Sequence, residues 1–484
     1  MKRIMCTLLA FVMVLGLCAC GAAEKKPVAE KASFQAGFGR VNVTPSYSIP
    51  LSGYGNTSSR MSQGFMDYIY VTCIAFRDAE GETILLYSCD VLYILNSLYK
   101  QYKDVISKST GVKPENVIVA ATHTHSGPDQ ASLEACMVEY RTFFQDSLVQ
   151  AAKEALKDLA PVTIQTGAVD VEGLNFVRHY LMKDGSYYGD NFGSTESGYA
   201  GHEREADKEM QIIRLDRADE SKQDILMLNW QAHAKIASTV ETSIGKTGRE
   251  MISADYIGPL RENVEKETGM VMAYFLGATG NLNGISKIRE EQNNVPEDYR
   301  EYGKQLSQYV VDTLPNLKTV ETGTIIGKTS VFTAQIDHTE DHLVQYALPL
   351  TELWAQTNTY SLCTDLDHGI VSPYHALSIV SRSKMTATQQ EMEINAFTIG
   401  NIGFATVPYE MFSQNGQAVK DGSPYETTFM ITCCNGANAY IAAEAAFEYN
   451  NGQGSYEVHN RTFIRGTAEA IQDELISMLN GLNG

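Results

Sequence analysis

The order of apolar and polar positions predicts strands and helices that alternate along most of the chain. Short apolar runs, several rich in β-branched residues, predict strands at 34–43, 70–76, 83–87, 116–121, 210–215, 225–230, 270–276 and 428–433, with two more within 393–407. Apolar residues at helical spacing predict helices at 98–108, 132–159, 299–314 and 467–479. Because strands and helices are interleaved, we expect an α/β fold of mixed β-sheets flanked by helices.

Turn residues join several of these strands into hairpins. Segments 78–81 and 216–221 are polar, and each lies between two predicted strands. No internal repeat, low-complexity tract or shift in composition interrupts the sequence after residue 34. We therefore expect a single domain from residue 34 to residue 484.

The first 33 residues predict a targeting segment and a tether. Two basic residues precede an apolar run at 5–17, which is too short to span a bilayer. This run ends in Leu17-Cys18-Ala19-Cys20-Gly21, which resembles the lipobox of bacterial lipoproteins. We therefore expect a signal peptide at 1–19, a lipidated Cys20 and a tether at 20–33. The alternative is a plain secretory signal that is cleaved nearby.

Charge and the predicted anchor together indicate where the protein acts. An acylated Cys20 would hold the domain at a membrane, so we expect an extracytoplasmic or cell-surface location. The chain has 38 basic and 58 acidic side chains, a net charge of -20. Loss of residues 1–19 removes two basic residues and no acidic one, which leaves 36 against 58, or -22. Nucleic-acid binders need the opposite sign to neutralise phosphates, so no nucleic-acid partner is expected.

Overall composition fits a folded protein without a thiolate metal site. The sequence is 44% hydrophobic and 20% charged, as is ordinary for globular domains. The cysteines outside the leader form no C-x-x-C pair. A zinc site built from thiolates or a redox motif is therefore not expected.

Two histidines follow the predicted strand at 116–121, in Ala121-Thr-His-Thr-His-Ser-Gly-Pro128. Residues two apart on an extended chain share a face, so His123 and His125 are expected to point the same way. Two imidazoles on one face suit a metal ion or an acid–base pair. Taken alone, the pair is equally consistent with structural or incidental histidines.

Three further segments place a potential ligand just after an apolar stretch. These are Asn229-Trp-Gln-Ala-His233, Phe404-Ala-Thr-Val-Pro-Tyr-Glu410 and Asn435-Gly-Ala-Asn-Ala-Tyr440. Each has a structural alternative. A lone histidine such as His233 is more often a packed core or surface residue. Glu410 is also typical of an acid at the start of a helix from residue 411, and that role and a role in a site can both be true. Most tyrosines in the position of Tyr440 are packing residues with a hydrogen-bonded hydroxyl.

Taken in order, these four segments resemble the neutral/alkaline non-lysosomal ceramidase family. The T-H-T-H-S-G-P stretch is the most specific match, and Val407-Pro-Tyr-Glu410 is similar to the Pro-Gly-Glu segment of the family. The opening Ala36-Gly-Phe-Gly-Arg-Val-Asn-Val-Thr-Pro45, with Gly53-Tyr-Gly55, is similar to its N-terminal stretch. Segment 435–447, with Tyr456-Glu457 after it, is similar to its Tyr-containing segment.

The resemblance implies a zinc site, because the family binds one zinc ion and hydrolyses the amide of N-acylsphingosines. Carried over by position, the implied zinc ligands are His123, His233, Glu410 and Tyr440. Two nitrogen and two oxygen ligands are acceptable to Zn2+. Since free tyrosine has a pKa of about 10, the metal would have to favour the ionised form. The resemblance also implies that His125, Arg178 and Tyr456 line the site.

The sequence departs from the family at the nucleophile and at the C-terminus. The family carries a serine, proposed as nucleophile, in N-x-G-D-V-S-P-N. The matching Ala278-Thr-Gly-Asn-Leu-Asn-Gly284 has Asn283 in that position, and Ser286 comes three residues later. Ala437 replaces the first tyrosine of the Tyr-x-x-Tyr motif of the family. The chain ends 44 residues after Tyr440, so we expect the C-terminal sandwich domain of the family to be absent.

These features predict a membrane-tethered zinc amide hydrolase acting on an N-acyl amide or sphingolipid-like substrate. Without the serine, zinc-bound water is the expected nucleophile. His125 is the candidate acid–base group, while Arg178 and Tyr456 are candidates to stabilise the oxyanion. Asp90 is a candidate for the site wall, or equally a structural hydrogen-bonding residue. The alternative function is a non-catalytic surface lipoprotein, a solute-binding or receptor domain on the same fold.

Overall fold

Two β-sheets lie face to face, and helices cover the outer face of each. The computed structural model describes residues 33–54, 60–242, 245–288, 291, 296, 298–357, 359–436 and 439–483. Ser33–Gly484 forms one compact unit. The predicted signal peptide at 1–19, Cys20 and most of the tether at 20–33 lie outside the described residues, as does Ala437.

Strands and helices follow one another throughout the described residues. The strands are β1 Gln35–Asn42, β2 Tyr70–Arg77, β3 Thr83–Cys89, β4 Val117–Ala121, β5 Ala160–Asp170, β6 Phe176–Val177, β7 Tyr180–Met182, β8 Tyr187–Tyr188, β9 Tyr199–His202, β10 Glu209–Arg217, β11 Ile225–Trp230, β12 Val271–Leu276, β13 Leu282–Asn283, β14 Lys318–Val320, β15 Ile325–Gln335, β16 Gln389–Ile399, β17 Ile402–Thr406, β18 Glu410–Met411, β19 Thr427–Ile431 and β20 Tyr440–Ile441. The helices are α1 Asn96–Thr110, α2 Ala135–Lys157, α3 Ile257–Thr268, α4 Tyr299–Thr313, α5 Val344–Thr357, α6 Pro373–Ser383, α7 Ser413–Asp421, α8 Tyr449–Gly452, α9 Tyr456–His459 and α10 Thr467–Gly481.

The larger sheet is mixed, and its strands run in the order β12-β11-β10-β5-β1-β2-β3-β4. Within it β11 and β12 are parallel, as are β3 and β4, while the other neighbours along this order are antiparallel. The smaller sheet has the order β15-β16-β17-β19. Both predicted hairpins, β2–β3 and β10–β11, are confirmed, and so is the mixed α/β class.

Side chains of one strand enter two different cores, because successive residues point to opposite faces. In β3, Leu85 and Tyr87 pack under the outer helices, whereas Ile84 and Leu86 pack between the two sheets. Strands buried on both faces show continuous apolar runs without alternation. This is why the sequence identifies β3 as a strand but not the layers on either side of it.

The longest outer helix, α2, lies directly on β1. An added Cβ at Gly37 or Gly39 would come within 2.1 Å of the carbonyl oxygens of Ala155 and Ala151. Only glycine permits an approach this close, so the two glycines fix where α2 rests on the sheet.

The two ends of the larger sheet are brought together, and this positions the candidate site. The Ser88 hydroxyl of β3 donates to the Tyr274 carbonyl of β12 at 2.6 Å. The turn after β19 joins the same two edges, since Thr432 N donates to Leu276 O and Asn435 N to Val119 O. The carboxyl ends of β4, β11, β12 and β19 therefore meet in one place. No helix among the residues described is long and apolar enough to cross a membrane.

Candidate metal centre

Three ligand atoms from distant parts of the chain converge where these strands end. Nε2 of His123 lies 3.3 Å from Nε2 of His233, and Oε2 of Glu410 lies 3.2 Å and 3.1 Å from the two nitrogens. Two atoms each about 2.0–2.1 Å from a tetrahedral zinc are roughly 3.3 Å apart. The spacing of the three atoms therefore matches three corners of a tetrahedral metal site.

Backbone carbonyls fix which nitrogen of each imidazole faces the centre. Nδ1 of His123 lies 2.9 Å from Leu92 O, and Nδ1 of His233 lies 3.0 Å and 2.9 Å from Thr279 O and Leu282 O. A carbonyl only accepts, so each Nδ1 carries the proton and each Nε2 presents a lone pair. Metal-binding histidines are generally held in this way.

The Glu410 carboxylate has no hydrogen-bond donor for the oxygen that points between the histidines. Its Oε2 is buried and unpartnered among the described residues, because both facing nitrogens are lone-pair atoms. Three lone pairs converge here without a donor, and a bound cation would satisfy all of them. The residues therefore fit a metal ion.

The backbone at His123 differs from the extended chain that the sequence predicts. Strand β4 ends at Ala121, and His123 has φ of +64°, in the left-handed region. That conformation is unfavourable for a residue with a Cβ, and such strain is typical of functional sites. The rings of His123 and His125 still lie together, with centroids 5.1 Å apart, but a turn rather than an extended strand brings them there.

His125 is the third imidazole of the cluster. Its ring centroid is 5.4 Å from that of His233, and His123, His125 and His233 each offer a ligand atom within 4.8 Å of the others. Both ring nitrogens of His125 are buried without a hydrogen-bond partner among the described residues. Burial lowers the pKa of His125 well below its ordinary value, so the ring is neutral near pH 7.

Glu410 and Tyr440 are brought side by side by a short parallel strand pair. Glu410 of β18 is paired in register with Tyr440 of β20. Helix α7 begins only at Ser413, so Glu410 is not in the first turn of a helix as the structural alternative had it. Burial is the main cause that raises the pKa of Tyr440, and the Glu410 charge adds to it. The phenol therefore needs a nearby cation to ionise.

Arg178 lies beside the two tyrosines that the sequence selected. Its guanidinium carbon is 5.5 Å from the Tyr440 ring centroid and 5.8 Å from that of Tyr456. The two tyrosine rings are themselves 5.7 Å apart. The structure thus brings together all seven residues selected from the sequence, namely His123, His125, Arg178, His233, Glu410, Tyr440 and Tyr456.

Glu457 and His179 are parts of the site that the sequence did not reveal. The Glu457 carboxylate accepts from Arg178 Nε at 2.8 Å and from His179 Nε2 at 2.9 Å, and all three side chains are buried. Glu457 stands in the segment that resembles the family, but nothing in its spacing pointed to a partner 279 residues away.

Neither residue near the missing serine is arranged as a nucleophile. Asn283 occupies the position next to His233 in a parallel backbone bridge. Ser286 is fully buried, and its hydroxyl is bonded to the Glu291 carboxylate and lies 3.2 Å from His202 Nε2. Glu291 contacts the same nitrogen of His202 at 2.7 Å. The carboxylate therefore competes with the serine for that nitrogen instead of orienting the ring from behind.

Asp90 is a structural residue rather than part of the site wall. It is fully buried and accepts from Tyr70 N, Thr122 Oγ1 and Arg261. These bonds connect β2, the segment after β4 and α3, which explains the carboxylate without a catalytic role.

Comparison with known proteins gives a family match and a shared fold. The family profile described as neutral/alkaline non-lysosomal ceramidase, N-terminal, matches residues 34–284, slightly more than half of the chain. The crystal structure of neutral ceramidase from Pseudomonas aeruginosa is similar, with a TM-score of 0.66 at 17% identity over 93% of this chain and 74% of that one. A ceramidase complexed with C2 gives a TM-score of 0.66 at 16% identity over 93% and 75%. At these identities the likeness to solved structures shows the fold alone.

Proposed function

Because the chain belongs to the neutral/alkaline non-lysosomal ceramidase family, we propose that it is a zinc-dependent hydrolase that cleaves N-acyl amides. The observation that carries this proposal is the triangle of His123 Nε2, His233 Nε2 and Glu410 Oε2, with sides of 3.1–3.3 Å. Its two nitrogens are fixed as lone-pair donors and its oxygen has no donor. A non-catalytic surface lipoprotein has no need of such a set.

His123, His233 and Glu410 would hold the metal, with Tyr440 as the fourth ligand. The register of Tyr440 beside Glu410 supports this assignment. Zinc supplies a Lewis acid that polarises a carbonyl and lowers the pKa of water. The net reaction adds water across the C–N bond. Hydroxide goes to the acyl carbon and a proton to nitrogen, which gives a carboxylic acid and an amine.

His125 moves the proton in this proposal. A neutral imidazole with two free nitrogens can accept a proton from water and return it to the leaving amine. The ring is held from one side by Tyr54, whose ring centroid is 5.3 Å away.

Arg178 and Tyr456 stabilise negative charge that develops on the carbonyl oxygen. Glu457 and the Gly280 carbonyl hold the guanidinium of Arg178 in place. Burial raises the pKa of Tyr456, so its hydroxyl stays protonated and available as a donor.

One experiment tests the metal and the reaction together. The purified protein is assayed for metal by elemental analysis, and then for cleavage of fluorogenic amides that differ in acyl length and head group, with and without chelator. We expect about one zinc per chain and chelator-sensitive cleavage that includes short and soluble N-acyl amines as well as ceramides. Absence of both zinc and cleavage would favour the binding-protein alternative.

Gly53 tests the position of His125. A Cβ at this residue would lie 2.7 Å from the imidazole Cγ, and φ is already +108°. Gly53→Ala should therefore displace the His125 ring and lower kcat by up to about 100-fold, the cost of a small misplacement of a reacting group. Zinc content should stay at the wild-type level. Gly201→Ala is the matched control, because nothing lies within 4 Å of the added methyl.

Ser286 tests whether a serine takes part in the reaction. Ser286→Ala should leave kcat within a few-fold of wild type, because the hydroxyl is bonded to Glu291 and His202. It should lower the free energy of unfolding by about 1–2 kcal/mol through the lost hydrogen bonds. A loss of several orders of magnitude in kcat from a folded variant would instead support a serine mechanism.

We also propose that a lipidated Cys20 anchors the domain to an extracytoplasmic membrane surface. Cys20→Ser should move the protein from the membrane fraction to the soluble fraction, because the acyl chains are lost. The measurement is cell fractionation with immunoblotting. Membrane association of Cys20→Ser that survives high salt would contradict anchoring at this residue.

A further inference from the structure

A group of basic side chains lies beside the candidate metal centre. Asp190 accepts from Lys235 Nζ at 2.8 Å and from Lys287 Nζ at 3.0 Å, and Arg178 is 3.8 Å from the same carboxylate. Burial opposes charge on Asp190, yet Lys235 and Arg178 hold the pKa of its carboxyl well below its ordinary range. One carboxylate thus faces two lysines and one arginine.

The two lysines share a single carboxylate. Arg178 is paired with Glu457 at 2.7 Å, which leaves Lys235 and Lys287 with the one negative charge of Asp190. A local positive excess is unusual in a chain with a net charge of -20. The lysine side chains are 26% and 36% exposed, so a solute can reach them.

Arg249 adds a fourth positive charge, which contacts His125 only through Tyr54. Its guanidinium carbon is 4.3 Å from the ring centroid of Tyr54, the residue whose ring packs against His125. Arg249 is exposed and has no carboxylate partner among the residues described. Tyr54 also donates to Ser238 Oγ at 2.5 Å, in the segment that carries Lys235. Lys235, Lys287 and Arg249 are called the cationic rim: the two lysines share Asp190 with Arg178, and Arg249 contacts the tyrosine that packs on His125.

We infer that this cationic rim recognises an anionic group on the substrate, so that the preferred amide is an N-acyl amino acid or another N-acyl amine bearing an acid. The inference rests on the proposed function and names the substrate class of that site. A carboxylate close to the scissile amide would complete the charge balance at Lys235 and Lys287. A neutral sphingoid head group would leave their excess charge unmatched.

The test compares an acid with its neutral counterpart. The zinc-loaded protein is assayed on an N-acylglycine and on the N-acylglycinamide with the same acyl chain. We expect kcat/KM to favour the acid by about tenfold or more, and to lose part of this preference as salt screens the partly exposed lysines. Lys287→Met and Arg249→Met should each reduce the preference several-fold. Lys266→Met, on the exposed side of α3, removes the same charge and should keep the full preference for the acid substrate.

Binding without turnover separates the two proposals. Ketomethylene analogues, in which CH2 replaces the amide N–H, cannot be hydrolysed, and their binding is measured by calorimetry. The wild-type protein should bind the acid analogue more tightly than the neutral one, and Lys287→Met and Arg249→Met should each reduce this difference. That result supports anion recognition by the cationic rim even if no amide is cleaved. In that case only the hydrolase proposal fails. If the acid and the neutral amide are cleaved equally well and their analogues bind equally well, the proposed anion recognition is wrong, while the hydrolase proposal is retained.

Discussion

His233→Ala is expected to lose the bound metal and the hydrolytic activity together. His233 is fully buried, and its Nε2 lies 3.1 Å from Glu410 and 3.3 Å from His123. Alanine removes one of three converging ligand atoms and leaves a cavity in their place. Mutation of a residue that only orients a metal ligand typically lowers metal affinity or activity by roughly 10–100-fold. Because His233 is itself a proposed ligand, we expect a larger fall in activity and a zinc content near zero. Elemental analysis and the chelator-sensitive assay measure both.

Two companion variants show whether the loss is specific. His342→Ala removes an exposed imidazole and should retain both zinc and activity. Glu410→Gln keeps the shape of its side chain but removes the charge, so it should weaken zinc binding while the fold is intact by circular dichroism. A folded variant that lacks both His123 and His233 and still carries one equivalent of zinc would overturn the assignment.

Glu457→Ala is expected to lower the free energy of unfolding by about 3–5 kcal/mol, because it leaves the buried Arg178 and His179 without their common carboxylate. Burial acts to raise the pKa of Glu457, but His179 and Arg178 outweigh it and lower the pKa to about 2. The stabilisation is therefore complete above the ordinary value of 4.5 and is lost as the pH falls towards 2. Urea unfolding between pH 2 and pH 7 measures this dependence.

An exposed ion pair provides the control for Glu457. Glu444 contacts Arg465 at 2.8 Å, but both side chains are about half exposed. Glu444→Ala should lower the free energy of unfolding by no more than about 1 kcal/mol. If Glu457→Ala were equally mild, the buried contacts of Arg178 would not stabilise the fold, and the rigid placement of that guanidinium near Tyr440 would lose its basis.

Much of the secondary structure can be read from the sequence, because local periodicity records which side chains are buried. The helix predicted at 132–159 is observed at Ala135–Lys157, and the strand at 225–230 at Ile225–Trp230. By contrast β5, β15 and helices α5 and α6 were not predicted. Strand β15 has mostly exposed residues, and α5 contains Pro349, so neither shows a clear apolar period.

The candidate ligands could be selected from the sequence because their motifs occur in family order, whereas their partners could not. Arg178 and Glu457 are 279 positions apart, and Lys235 and Asp190 are 45 apart. No local pattern marks such pairs, since charged residues are common in loops. Only the folded chain shows that each carboxylate is shared by several cations.

The sequence by itself determined the alternation of strands and helices and the order of the histidine, glutamate and tyrosine segments along the chain. Tertiary structure decided where those segments meet. The bond from Ser88 to Tyr274 and the turn after β19 close the two ends of the larger sheet on each other, so that His123 and His233 face the same carboxylate. The tertiary structure also produces the left-handed backbone at His123 and brings together the basic side chains of the cationic rim. The physical reason is that local patterning depends on which neighbours along the chain are buried, whereas the site depends on contacts that exist only once the sheet has closed.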